Sequence, residues 1–424
     1  MKEKRDYLLL GVFSLLMGAL SGVVIWAVFH LMHWSITLIW ETIPMQLGAS
    51  HSLAYNVIVC VSGGVLIGLM QKKFGALPEP LPAVMARVKK EGGYPYNRLP
   101  ILIVMFLLPI IFGGAIGPEA GLTGVIAGLW TFVCTTINYT GVRLEAMAET
   151  GIAATLGIIF GAPLFGIATY VEPDDEHEHY REKLLSKKTR IYLYGLGVVG
   201  IFAAMFGLNR LLGSGTGLPR FSKIHAIGWD QWKWSLLLIA AGIVMALVYM
   251  QCTKIAMKLA AHLADHIVLS CIVAGLFVGI VGHVMPAVMF SGQDALDTLL
   301  VTWYGYSAVV LLLIAFAKAV LTSVCISFGW RGGNIFPVVY MGAAVGYAFA
   351  IVVDMQNSYA LLDGSFAVAL VVASMTGFIL RKPVTAVAIL LLCFPITYLP
   401  ALTVASVIAA KLGTLYAKRQ QKVG

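Results

Sequence analysis

Residues 114–124 read GAIGPEAGLTG, and residues 329–342 read GWRGGNIFPVVYMG. Each is a glycine-dense turn in which a proline, Pro118 or Pro337, opens a new apolar run. Proline suits the first turn of a helix, because the N–H it lacks would have no acceptor there. Glycines ahead of it allow a sharp turn and a close approach of backbone to a ligand. The first N–H groups of each new helix then point outward, with the positive end of the helix dipole behind them. Two such starts facing one another predict an anion site built without Lys or Arg. In lipid this matters, since a fixed charge in contact with a small anion would hold it too tightly to release.

Glu119 adds the second element. It stands alone between two stretches free of Asp, Glu, Lys and Arg, 99–118 and 120–142. A lone carboxylate in such a setting is costly and by default functional. At a helix start it competes for the same amides that would hold an anion. Deprotonated, it occupies the anion's place; protonated or swung aside, it opens that place. One group then serves as gate and proton carrier.

The rest of the chain fits a bilayer. Of its 424 residues, 59% are hydrophobic and 12% charged, about half the charged share of a globular domain. Residues 7–32, 235–253, 335–353 and 383–410 are also free of the four charged types. Most of these runs reach the roughly 20 residues that span a bilayer, and none shows the polar face of a soluble helix. The net charge of +9 gathers at segment ends: Lys2, Lys4 and Arg5, then Lys72 and Lys73, Arg87 with Lys89 and Lys90, Lys183 to Arg190, and Lys411 to Lys422. That placement is the positive-inside signature and predicts a multi-pass protein of the cell membrane with both termini cytoplasmic. No basic stripe with interleaved aromatics suggests nucleic acid. The six cysteines are scattered singly, so neither a disulfide framework nor a metal site is expected. The first apolar run is too long for a cleaved leader and predicts a retained helix. Enzyme motifs such as HExxH or G-x-S-x-G are missing, and neither a cofactor nor catalysis is expected.

One polar stretch, EPDDEHEHYREKLLSKKTR (172–190), breaks the apolar text. It suggests a first membrane repeat over 1–172, a cytoplasmic linker over 173–190 and a second repeat over 191–424. His177 and His179 alternate with acids there, as in a solvated linker. Short, interrupted segments such as 143–157, and 158–171 with Gly161 and Pro163, point to inverted repeats of broken helices around a midplane site. GSGTG (213–217) reads as a loop. Lys318, inside VLLLIAFAKAVLTSV, either snorkels to the membrane surface or pairs near the pathway.

With these residues in place, the chain resembles the CLC chloride channel and transporter family over roughly residues 8–415. Gly117-Pro118-Glu119-Ala120-Gly121 resembles the family's turn with a gating glutamate, preceded by a Leu99-Pro100 like the family's own. Gly333-Asn334-Ile335-Phe336-Pro337 is similar to the later G-x-F-x-P turn. Ala162-Pro163-Leu164-Phe165-Gly166 and Arg381-Lys382-Pro383-Val384-Thr385 match two further landmarks. The resemblance implies an all-α, CLC-type inverted repeat of tilted and broken helices, assembled as a homodimer with one pore per subunit. It implies transport of chloride or a related small anion through a channel or a proton-coupled antiporter. Glu119 would be the gate, and residues 117–121 and 333–336 would surround the anion. Several positions depart from the pattern. The family's front serine falls at Gly75 or Glu79, neither of which carries a hydroxyl. The inner tyrosine corresponds to Tyr398, in a stretch two residues short. The cytoplasmic-side glutamate of proton-coupled members falls at Pro173, leaving Glu172 beside it as the candidate. A basic residue ahead of the gate is missing, and no regulatory domain is expected after the last apolar run. The other reading is an inverted-repeat secondary transporter for a different small anionic substrate.

Overall fold

The computed structural model describes residues 2–49, 52–80, 83–84, 87, 90–91, 93–136, 187–212, 221, 229–356, 362–391 and 393–423. Glu172, the linker around it and the 162–166 landmark lie outside these residues, as does GSGTG. The helices are α1 (Lys2–Thr37, continued by a π-turn at Leu38–Thr42), α2 (Leu53–Phe74), α3 (Leu99–Ile111), α4 (Glu119–Thr136) and α5 (Lys187–Leu212). Then follow α6 (Ser235–Ala261), α7 (Ile267–Val284), α8 (Gln293–Thr302), α9 (Ala308–Ser327) and α10 (Ile335–Gln356). The last three are α11 (Gly364–Leu380), α12 (Pro383–Leu390) and α13 (Leu399–Val423). Among the described residues no strand forms; one isolated β-bridge joins Gly117 to Gly333.

Among the described residues eight helical stretches are long and apolar enough to cross a bilayer, and the fold is all-α and multi-pass. Their lengths are uneven for a physical reason. The 39 residues of Leu8–Gln46 rise to about 58 Å at 1.5 Å per residue. That is nearly twice the hydrocarbon thickness, so the helix tilts or projects. The 13 residues of α3 reach only about 20 Å and end inside the protein.

The chain packs as two compact units. The first takes Met1–Ile43, Leu77–Leu107 and Pro118–Gly217; the second takes Pro44–Ala76, Leu108–Gly117 and Leu218–Gly424. In the first, α1 lies against α5 at backbone distance: a Cβ on Gly18 would stand 2.2 Å from the Gly197 carbonyl oxygen. Close approach through small residues is how helices associate in lipid, where the hydrophobic effect gives no help. Side-chain hydrogen bonds lock the pair: Ser14 Oγ donates to the Leu193 carbonyl at 2.7 Å, and Trp26 Nε1 to Asn209 Oδ1 at 2.8 Å. Trp130 of α4 joins them by donating to Ser21 Oγ at 3.0 Å.

In the second unit α2 and α7 form a similar close pair, with Gly64 against the Cys271 carbonyl. The centre of this unit is α10 and α11. The most apolar window of α10 is 83% buried, against 28% for α2, and every residue of α11 from Phe366 to Phe378 is buried. A helix apolar on all sides belongs in a core; α2 and α6 instead turn Leu66, Leu69, Leu236 and Val244 outward.

Candidate functional site

The first glycine turn begins where α3 ends. Gly113 N–H donates to the Ile110 carbonyl at 3.0 Å and Gly114 N–H to Pro109 at 2.8 Å, with Gly113 at φ +91°. A residue with a Cβ is strained there, so glycine is required. Ile116 N–H then closes a tight bond to the Gly114 carbonyl at 2.8 Å. The second turn mirrors this at the end of α9. Phe328 N–H bonds Val324 at 2.9 Å, Gly329 adopts φ +99°, and Trp330 N–H returns to Cys325 at 2.8 Å.

The two turns meet. Gly117 N–H donates to the Gly333 carbonyl and Gly333 N–H to the Gly117 carbonyl, both at 2.8 Å. Sequence separation between these glycines is over 200 residues, so the bridge is a tertiary feature. Residues 113–117 and Gly333 are buried. Irregular backbone at membrane depth is tolerated only where protein or a water-lined cavity satisfies it, and here each turn satisfies the other. Two residues beyond each bridged glycine a helix starts, α4 at Glu119 and α10 at Ile335.

Side chains of α2 and α7 hold the second turn from behind. Gln71 Nε2 donates to the Gly329 carbonyl, Ser270 Oγ to Phe328 at 3.1 Å, and Trp330 Nε1 to the Cys271 carbonyl at 2.9 Å. Trp330 is wholly buried. The first turn has softer support: Cys60 Sγ donates to the Phe112 carbonyl at 3.4 Å and Phe290 N–H to Gly113 at 3.3 Å.

The following places are those of the singled-out residues that the structure describes. Glu119 opens α4, 1% exposed, and its backbone carbonyl accepts from Thr123 Oγ1 at 2.6 Å. Pro118 precedes it and its carbonyl starts the helix by accepting from Leu122 N–H at 3.0 Å. Ala120 is buried beside it. Gly121 serves packing, since a Cβ there would collide with the Phe106 ring at 2.1 Å. Asn334 precedes α10 and its carbonyl receives Val338 N–H at 3.0 Å, while its side-chain amide reaches Tyr249 Oη at 3.4 Å. Ile335 and Phe336 are buried in the first turn of α10.

Three further candidates have these surroundings. Tyr398 is buried, with its ring 5.6 Å from that of Phe394. Gly75 caps α2 at φ +90°, its N–H bonded to Gln71 at 2.9 Å and open space where a Cβ would point. Glu79 is paired with Arg87 at 2.8 Å, so its carboxylate is neutralised and offers no donor to an anion. Burial, with the Glu79 charge nearby, pushes the Tyr94 phenol up to about 12, and the opposing Arg87 guanidinium moderates that rise. Lys318 neither snorkels nor pairs with a carboxylate: it is 0% exposed and its Nζ donates to three backbone carbonyls. The tethers Gln71, Ser270 and Trp330 escaped sequence reasoning, although a glutamine near the end of an apolar helix was a visible signal.

The fold and site thus define a membrane transport protein in which two buried helix breaks are clasped by backbone, with a carboxylate beside one of them. A family profile described as Voltage gated chloride channel matches residues 63–414. The chain belongs to this family, whose members move anions across membranes and are not enzymes. A curated relative, YfeO of Escherichia fergusonii, which carries a provisional ion-transport description, is 25% identical over 357 residues, 81% of this chain and 79% of its own. Among solved structures, a slow cyanobacterial Cl⁻/H⁺ antiporter superimposes with a TM-score of 0.74 at 16% identity, covering 98% of this chain and 97% of that one. A CLC-type fluoride/proton antiporter gives 0.68 at 18% identity, with 96% and 95% covered. These likenesses establish the fold. Among the described residues no cluster of three or more His, Cys, Asp or Glu could hold a metal.

Proposed function

We propose that this chain exchanges a small inorganic anion, chloride foremost, for protons, with Glu119 as gate and proton carrier. The observation that carries the reading is the reciprocal Gly117–Gly333 bridge, with Glu119 buried two residues beyond it. The bridge supports two helix starts aimed at one place, and the dipoles of α4 and α10 would then favour a desolvated anion there. Gly117, Ala120, Gly333, Asn334 and Phe336 would surround the ion. Protonation of Glu119 would vacate the place its carboxylate takes when charged, so a proton entering and an anion leaving become alternatives at one locus. The cyanobacterial and fluoride neighbours, both described as proton antiporters, favour coupled exchange over passive conduction.

The same reading takes the basic ends of the segments, including Lys72 and Lys73 in the last turn of α2, as cytoplasmic, with both termini on that side of the cell membrane. Two inverted repeats joined by the 173–190 linker, and two subunits each with its own pathway, complete it. Glu172 is the candidate for the cytoplasmic proton entry.

Purified protein in sealed liposomes tests the proposal. An imposed chloride gradient should drive protons uphill, with chloride competing against fluoride, nitrate and bicarbonate for the pathway. Chloride flux without proton movement would make the protein a passive channel; no anion flux at all would end the reading.

A further inference from the structure

Lys318 sits within α9, fully buried, and its ammonium has three backbone acceptors: the carbonyls of Val288 at 3.0 Å, Met289 at 3.1 Å and Phe290 at 2.7 Å. Three acceptors are the full complement for the three donors of a charged lysine. No carboxylate pairs with it among the described residues. A buried cation without a counter-ion is expensive in lipid, and such residues mark ion pathways more often than scaffolding.

What Lys318 grips bears directly on the paired turns. Phe290 is held at φ +55°, a conformation rare for a side chain of that bulk. Its carbonyl accepts from the lysine while its N–H donates to Gly113, the residue that opens the first glycine turn. The lysine also lies 5.4 Å from the centre of the Tyr340 ring, on α10, just past the start of that helix. Its own helix runs directly into the second turn. One side chain therefore connects the segment that anchors the first turn with both helices that flank the second.

We propose that Lys318 is a positioning residue for anion selectivity: through Phe290 it fixes the Gly113 turn against the Gly333 turn, and it sets a positive charge behind them without touching the ion. Because carbonyls occupy all its donors, the charge raises the local potential without binding the anion too tightly to release. This inference rests on the anion-transport reading of the paired turns.

The test compares Lys318→Met, Lys318→Gln and Lys318→Arg with the unmodified protein in liposomes. Two readings are taken, the chloride-to-nitrate flux ratio and the chloride concentration giving half-maximal flux. A monodisperse gel-filtration peak certifies each variant as folded. Loss of the charge should raise half-saturating chloride about tenfold, roughly 1.4 kcal/mol of lost interaction, and shift the flux ratio. Lys318→Arg should keep the half-saturating concentration within about twofold on the same scale. A merely structural role would lower the amount of active protein and leave both readings where they were. A folded neutral variant with unchanged ratio and half-saturation overturns the proposal. If neither neutral variant folds, Gly292→Ala decides, because its Cβ would crowd Tyr340 and stand 3.4 Å from the Lys318 ammonium. Unchanged readings in that variant overturn the proposal, and a shift in both supports it. Absence of anion flux in the unmodified protein would fail the transport reading itself, a result distinct from any change between variants.

Discussion

The two glycine turns look alike in sequence and are built differently. The turn at 328–333 is held by an amide, a hydroxyl and an indole N–H, each donating to a main-chain carbonyl or reaching one from the turn. The turn at 112–117 leans on a thiol and on Phe290 N–H, and the latter is in turn held by Lys318. Thiols are weak donors, so side chains tether the second turn directly and firmly, while the first yields more, its firm hold coming at one remove from Lys318 through Phe290. The more yielding turn is the one that leads into Glu119. The gating role proposed for Glu119 would call for a support that yields on its own side.

That contrast can be broken by experiment. Trp330→Ala should be the most damaging change: removing a wholly buried indole costs about 3–5 kcal/mol, besides the bond to the Cys271 carbonyl. Thermal unfolding in detergent should show a sharp loss of melting temperature or no folded protein. Gln71→Leu keeps the volume roughly but leaves the Gly329 carbonyl without its amide, at a cost of about 1–3 kcal/mol, read as a smaller drop in the same melt. Cys60→Ala, on the first turn, should cost less than about 1.5 kcal/mol. Its sharper signature should be functional, a changed rate of proton exchange at nearly unchanged melting temperature. If Cys60→Ala destabilised as much as Gln71→Leu, the division into a firmly tethered turn and a more yielding one would fail.

The sequence made the essential parts legible because they are local. GAIGPEAG and GGNIFP announce helix breaks through glycine and proline chemistry confined to a few residues, and Glu119 stands out because its neighbours carry no charge. The all-α, multi-pass fold follows from run lengths alone. The supports were not legible. Gln71, Ser270 and Phe290 act on residues between 58 and 258 positions away, and nothing local signals such pairing. Lys318 was visible as an anomaly, but its carbonyl acceptors are backbone atoms and leave no trace in a sequence pattern. Tyr398 is a different case. Its residue type suits an anion ligand, but its place, in the 3₁₀ turn at Ile396–Tyr398 with its ring against Phe394, depends on packing that no local pattern announces. The grouping of residues 44–76 and 108–117 with 218–424 in one compact unit is likewise a matter of packing that no local pattern announces.

The most direct test of the account is Glu119→Gln in liposomes, with chloride and proton fluxes recorded together. Glutamine mimics the protonated side chain at nearly the same volume, so chloride should still cross while proton movement coupled to it disappears. Proton coupling preserved in that variant would remove Glu119 from the mechanism and contradict the account.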